Sequence, residues 1–268
     1  MIPNVLSIAG SDPSGGAGIQ ADLKVFSAQR VYGMAAITAL TAQNTQGVSA
    51  IHVPPASFVK AQIEAIFADI RVDAVKIGMI ANAAVAQAVA DVLEAQNRAP
   101  VVLDPVMVAK GGARLLEPAA IAVLRDRLIP LSHVVTPNLA EAAALLGEAP
   151  IETRQAMPGV AQRLLALGAQ AVLLKGGHLD GADSPDLLAQ AQSLTWLEGP
   201  RHATANTHGT GCSLSSALAA RLALGEPLPQ AAATAKAYVA GAIAAAGALT
   251  VGHGHGPTHH FHALWREA

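Results

Sequence analysis

Short aliphatic runs alternate along the chain with longer Ala/Leu-rich stretches whose apolar positions recur at helical spacing. The runs "VLSIA" (5–9), "MAAITAL" (34–40), "AVKI" (74–77), "VVLD" (101–104), "VVT" (134–136) and "AVLLK" (171–175) predict strands. Between them, 18–29, 55–67, 82–96, 118–128, 138–146 and 157–167 predict helices. Strand–helix alternation implies right-handed crossovers and a mostly parallel central sheet with helices on both faces, a three-layer α/β sandwich. After residue 175 the pattern changes. "GGHLDGADSPD" is turn-rich, and "QSLTWLEG" with "RHATA" predicts a short antiparallel edge, followed by helices over 212–224 and 228–246. With no linker or repeat to divide it, 1–268 is expected to form one domain.

In open α/β sheets ligands sit beyond the carboxyl ends of the strands. The unusual residues gather there: Gly10 and Asp12, Gln43 and Asn44, Gly78 and Met79, Asp104, Asn138 and Glu141, and Lys175.

Composition narrows the function. Of 268 residues, 52% are apolar and only 3% aromatic, so Ala, Val, Leu and Ile must pack the core. A formal charge of −2 offers no basic patch for nucleic acid or an anionic membrane. The single cysteine, Cys212, excludes an internal disulfide framework and fits a reducing compartment. The first residues lack signal-peptide character, and the apolar stretch 237–249 is too short to span a bilayer. A soluble cytoplasmic protein acting on a small molecule is expected.

Two glycine clusters compete for a phosphate. "AGSDPSGGAGIQAD" (9–22) follows the first strand, but Gly16 and Ala17 stand where a P-loop needs lysine and a hydroxyl. Gly16, Gly18 and Ala21 formally meet the dinucleotide pattern, yet the second strand runs into "TAQNTQG" with no acid for a ribose. Asp12 and Asp22 would repel a pyrophosphate, which also argues against an NAD-dependent oxidoreductase. The plain reading is a tight strand-to-helix turn.

The second cluster, Gly209-Thr210-Gly211, opens directly into a helix, where free N–H groups and the dipole make an anion site. Cys212 falls in that first turn, where the dipole is expected to lower its pKa; an inert packed thiol is the alternative. Asp104 is either a turn-former before Pro105 or a ligand. Glu141, three residues after Asn138, is either a first-turn acid or one of a carboxylate pair that holds Mg²⁺ through water. Lys175 ends an apolar strand and needs an anionic partner. Five of ten histidines crowd the tail "VGHGHGPTHHFHALW", read as a polar segment docked on the fold rather than a zinc site.

The ordered series "AGSDPSGGAGIQADLKVFSA", "TALTAQNTQGV", "KIGMI", "VVLDPVMVAKGG", "TPNLAEAAALLG", "VLLKGGHL", "HGTGCSLSSALAA" and "GHGHGPTHHFH" resembles the hydroxymethylpyrimidine/phosphomethylpyrimidine kinases of thiamine biosynthesis, within the ribokinase-like superfamily. The resemblance implies transfer of phosphate from ATP, with Mg²⁺, to 4-amino-5-hydroxymethyl-2-methylpyrimidine and then to its monophosphate. It implies an acceptor pocket of Gly10, Asp22, Gln43, Met79 and Val106. Mg²⁺ would be managed by Asp104 and Glu141, and ATP met by Asn138, Lys175, Thr210 and Gly211. Gly209, Thr210, Gly211 and Cys212 would form the catalytic turn, with Lys175 on the phosphates. It also implies a homodimer, a flap at 109–116, and pyridoxal or pyridoxine as the competing acceptor.

Overall fold

The computed structural model describes residues 1–109 and 112–265. The chain runs β1 (Asn4–Ala9), α1 (Gly18–Ala28), β2 (Tyr32–Ile37), β3 (Leu40–Asn44), β4 (Gly47–His52), α2 (Ala56–Asp69), β5 (Ala74–Ile77) and α3 (Ala83–Gln96). It continues β6 (Val101–Leu103), α4 (Pro118–Val123), β7 (Val134–Val135), α5 (Leu139–Leu146), α6 (Met157–Leu165) and β8 (Ala171–Lys175). β9 (Asp186–Gln190), β10 (Ser193–Leu197), α7 (Thr210–Ala223) and α8 (Leu228–Ala244) complete it. Eight strands form one sheet in the order β10-β9-β8-β7-β6-β5-β1-β2, parallel except where β9 and β10 fold back on β8. The order reverses between β1 and β5, so their carboxyl ends frame a switch-point crevice.

Two expectations are corrected. The run 34–40 is not one strand: β2 ends at Ile37, and β3 starts a separate two-stranded sheet with β4. Thr38 and Ala39 leave the sheet because neighbours capture them, Thr38 Oγ1 donating to Met79 O and Ala39 O accepting from Ser11 N–H at 2.8 Å. The antiparallel edge pairs β9 with β10, whereas "RHATA" forms no strand. There the Arg201 guanidinium donates to the carbonyls of Gly177, Leu179 and Gly181, locking the preceding turns.

Helices α1, α7 and α8 cover one face of the large sheet and α2 to α6 the other, each over its own core. Side chains alternate across a strand. Val75 and Ile77 of β5 therefore pack under α2 and α3, while Ala74 and Lys76 face α1 and α7. The same parity sends Ser7 to the α1/α7 side. It also sends Asp104, Thr136 and Lys175, at the ends of β6, β7 and β8, to that side, where α7 begins. One alternation rule thus gathers five polar side chains at one end of one face.

The apolar stretch predicted at 237–249 lies in a longer helical segment. Leu228–Ala248 is long and apolar enough to cross a membrane by length and composition alone. One face of it, Leu228, Ala231, Ala232, Ala235 and Val239, is buried against the α1/α7 side.

The histidine tail is docked. Gly254 N–H and His255 N–H donate to Thr45 Oγ1 and O at 3.1 and 2.9 Å, and His259 N–H donates to Ala242 O at 2.9 Å. His260 is buried, its Nε2 without a hydrogen-bond partner among the described residues, and burial holds its pKa down near 4, helped by Lys24, His259 and His208. A base depressed on folding binds fewer protons folded than unfolded, so its stability is fully present above pH 6.5 and lost as pH falls toward 4. We expect up to about 3 kcal/mol to disappear across that window. The comparison is urea unfolding at stepped pH, where His260→Phe should flatten the acid limb.

Candidate active site

The helix α7 begins at Gly209, whose φ of 77° is left-handed backbone that favours glycine. The N–H groups of the first turn have no carbonyl above them within the helix, Thr210 N–H donating to Thr207 O at 3.3 Å, and such a helix end favours an anion. Facing it, Lys175 Nζ lies 3.1 Å from Asp104 Oδ1 and 3.8 Å from Glu141 Oε2. Asp104 also accepts from Ser215 Oγ at 3.2 Å and Thr136 Oγ1 at 3.4 Å. Gly211 completes the cluster: a Cβ there would sit 3.3 Å from Lys175 Nζ and 3.6 Å from Asp104 Oδ2. A Cβ there would crowd the lysine by a few tenths of an ångström.

Glu141 serves two ends. It forms a capping box with Asn138, accepting from Asn138 N–H at 2.8 Å while Asn138 Oδ1 accepts from Glu141 N–H at 2.9 Å. Burial pushes its carboxyl up to about 7, with Asp104 adding to the rise and Lys175 opposing it. Burial alone would lower Lys175, but Asp104 and Glu141 outweigh it and hold the ammonium charged. The structure therefore brings Asp104, Asn138, Glu141, Lys175, Gly209, Thr210 and Gly211 into one cluster.

The acceptor-side residues divide into three places. Gly10, Met79 and Val106 meet at the switch-point crevice, where a Cβ on Gly10 would lie 2.9 Å from Met79 Sδ; Val106 joins Ala39, Met79 and Ala81 in a small apolar wall. Gln43 stands opposite on β3, its amide 3.3 Å from His208 Nε2 and from Thr41 Oγ1. His208 Nε2 is also 2.7 Å from Asp12 Oδ2, so that nitrogen carries the hydrogen, and Thr41 Oγ–H already goes to Ser11 O. Consistent donors and acceptors then put the Gln43 oxygen at His208 and its nitrogen at Thr41, leaving one amide N–H to offer. Asp22 lies behind the crevice instead, wholly enclosed, accepting from Ser7 Oγ, Ser216 Oγ and Lys76 Nζ at 2.6, 2.7 and 2.9 Å.

Asp12 shapes the opening loop. It accepts from Ser14 N–H, Ser14 Oγ and Ala17 N–H at 2.9, 2.7 and 2.9 Å, and from His208. Burial raises its carboxyl, but the His208 and Ser14 bonds more than offset that and hold it low. The two glycine clusters are thereby joined, and the tail grips the joint: His208 N–H donates to Gly256 O at 3.1 Å.

The thiol of Cys212 corrects the expectation of a lowered pKa. Burial pushes it up to about 11, against the pull of the Lys76 ammonium and of the Gly18 N–H that donates to sulfur. At neutral pH it is a thiol. Ser7, Lys76, Thr136, His208, Ser215 and Ser216 escaped the sequence reading. The one signal available was a lysine on the α1/α7 parity of "AVKI". Of the expected flap, Lys110 and Gly111 lie outside the described residues; its flanks meet where Val108 bridges Arg114.

Residues 12–259 match the family described as phosphomethylpyrimidine kinase. The chain belongs to that family. It is 51% identical to the hydroxymethylpyrimidine/phosphomethylpyrimidine kinase of Escherichia coli K12 over 262 residues, 98% of each protein. Its identity to the enzyme of that name in Rhizobium meliloti is 52%, again over 98% of both. Among solved structures it is similar to Bacillus subtilis pyridoxal kinase in an ADP complex, at TM-score 0.92 and 36% identity, covering 99% of this chain and all of that one. A phosphomethylpyrimidine kinase from Clostridium difficile matches at TM-score 0.78 and 43% identity, covering 88% of this chain and 97% of its own. The fold is thus that of the ribokinase-like kinases, and the phosphomethylpyrimidine kinase family supplies the chemistry to be tested on this site.

Proposed function

We propose that this kinase phosphorylates 4-amino-5-hydroxymethyl-2-methylpyrimidine from ATP and then phosphorylates the monophosphate, making the pyrophosphate used in thiamine biosynthesis. The observation that carries the reading is the Asp104–Lys175–Glu141 cluster facing the start of α7 across the glycine at 211. That arrangement suits phosphoryl transfer, which asks mainly for positioning and for charge aimed at the moving group.

Lys175 and the amides of Thr210 and Gly211 would hold the ATP phosphates, with Asn138 beside them. Gly209 fixes the turn. Among the described residues no three His, Cys, Asp or Glu side chains converge into a metal cage. Asp104 and Glu141, two carboxylates with an ammonium between them, instead suit a largely hydrated cation that arrives with phosphates, as Mg²⁺ prefers. Bound there, Mg²⁺ would neutralise phosphate charge. On the acceptor side, Gly10, Met79 and Val106 would wall the ring, Gln43 would present its free amide N–H to a ring nitrogen, and Asp22 would act from behind. The reading places one kinase domain in the cytoplasm as a homodimer, whose stoichiometry sedimentation velocity would measure.

Cys212 meets the hydroxymethyl group as a thiol, so it first orients that oxygen. A loose transition state needs little help from a base. Cys212→Ala should lower kcat/KM at least 100-fold for the hydroxymethyl acceptor and less than fivefold for the monophosphate, whose phosphate is already anionic. Unimpaired turnover of the first acceptor would remove Cys212 from the reaction.

The test of the whole reading is a coupled ATPase assay on hydroxymethylpyrimidine, its monophosphate and pyridoxal, with mono- and diphosphate products resolved. The fold match to pyridoxal kinase makes pyridoxal the competing acceptor. A kcat/KM higher for pyridoxal than for hydroxymethylpyrimidine would replace the first reading with the second.

A further inference from the structure

Behind the catalytic turn lies a buried ion pair whose lysine the proposed reaction does not use. Lys76 and Asp22 are both wholly buried, with Nζ 3.0 and 2.9 Å from the two carboxyl oxygens. Ser7 and Ser216 complete the set, so β1, α1, β5 and α7 each contribute one group. Well-packed hydrophobic residues in place of such a pair are often neutral or stabilising. The pair is also placed toward the rim rather than in mid-sheet: a Cβ on Gly78, two residues further along, would lie 2.7 Å from Lys76 Nζ. Cys212 lies one helical turn before Ser216 on α7, so it shares the helix face from which Ser216 Oγ donates to Asp22 at 2.7 Å, and Gly18 N–H at the start of α1 donates to its sulfur.

We propose that Lys76 is a positioning residue for Cys212: its ammonium, fixed by Asp22 behind the Gly209–Cys212 turn, is the built-in counter-charge for negative charge that develops on the sulfur. This rests on Cys212 standing at the reacting centre. Four charged groups act on the sulfur from the surrounding elements. Lys76 on β5 favours the thiolate, as does Lys175 on β8, while Asp22 on α1 and Asp104 after β6 oppose it. Lys76 is the largest favourable influence, and burial is what it works against. Asp22 then has a double effect, holding the lysine in place and tempering its charge.

Because Cys212 is the only cysteine, alkylation reports on this sulfur alone. The experiment is iodoacetamide modification of ligand-free, EDTA-treated protein at pH 9, followed by intact mass. Well below a thiol's pKa the rate tracks the thiolate fraction, so a ratio of rates reads directly as a ratio of thiolate populations. Lys76→Met should react at least tenfold slower than the unmodified chain, and Asp22→Asn at least threefold faster. A purely structural pair predicts faster reaction in both, since loosened packing exposes the sulfur. Equal or faster reaction in folded Lys76→Met would overturn the proposal. If Lys76→Met does not fold, Lys76→Gln replaces it under the same criterion, and an unchanged or slower rate in Asp22→Asn overturns the proposal by itself. Neither arm contains ATP or acceptor, so a failed kinase assay leaves this result standing, and the reverse.

Discussion

Gly209→Ala is expected to lose at least about a hundredfold in kcat/KM, together with about 2–4 kcal/mol of stability. A Cβ at 209 would lie 1.8 Å from Gly16 O and 2.8 Å from its carbonyl carbon, closer than atoms can approach, and at a φ of 77°. The contact is backbone against backbone, so no side chain can swing away. Either the α7 turn or the 10–18 loop must move, and His208 ties the two together through Asp12. A displacement of about 1 Å at phosphate-binding amides is enough to cost 100-fold in rate. Calorimetry and the coupled assay measure the two losses. Near-normal kcat with only a lowered Tm would mean that the turn is structural and its amides do not touch phosphate.

Lys175→Met separates charge from packing. We expect kcat/KM to fall by about a hundred- to a thousandfold, comparable to removing a key charge-stabilising donor. Stability should fall much less than the 3–5 kcal/mol typical when one partner of a buried pair is deleted. The reason is Glu141, which already titrates near 7 and can take up a proton once the ammonium is gone. Asp104 keeps its bonds from Ser215 and Thr136. Lys175→Arg should not fully rescue, since a planar guanidinium cannot take the place of a compact ammonium between Asp104 and Glu141. Equal Tm with unimpaired turnover would remove Lys175 from the phosphate site.

The large sheet and the phosphate side were legible because their signals are local. "VVLD" and "AVLLK" each end an apolar run in a charge, and "GTGC" opens a helix. Strand parity then brings those ends together without further information. Other parts were hidden for physical reasons. The β3–β4 sheet is largely exposed along both strands, so it carries little of the alternation that marks a half-buried strand. Arg201, in the stretch read as an edge strand, spends its guanidinium on distant carbonyls. Lys76 is one polar residue in a four-residue run, and its partner Asp22 lies 54 positions away. The Asp12–His208 bond spans 196 positions and has no sequence signature at all. Cys212 shows the limit of local reasoning: the helix start favours a thiolate, while burial, invisible in sequence, pushes the thiol up.

The loop at 10–18 is tied through Asp12 to His208, and His208 is itself held by Gly256 and Thr258. During vectorial synthesis β1, β5 and β6 can pair long before those partners emerge. The crevice therefore matures last, after the scaffold that carries it. A nascent or partly refolded chain would show native sheet with no turnover, and recovery of catalysis would lag recovery of circular dichroism. Closure of pairs this far apart in sequence is slow by nature, because the intervening loop entropy is lost before the contacts repay it. Turnover is thus a built-in report that the whole chain has arrived.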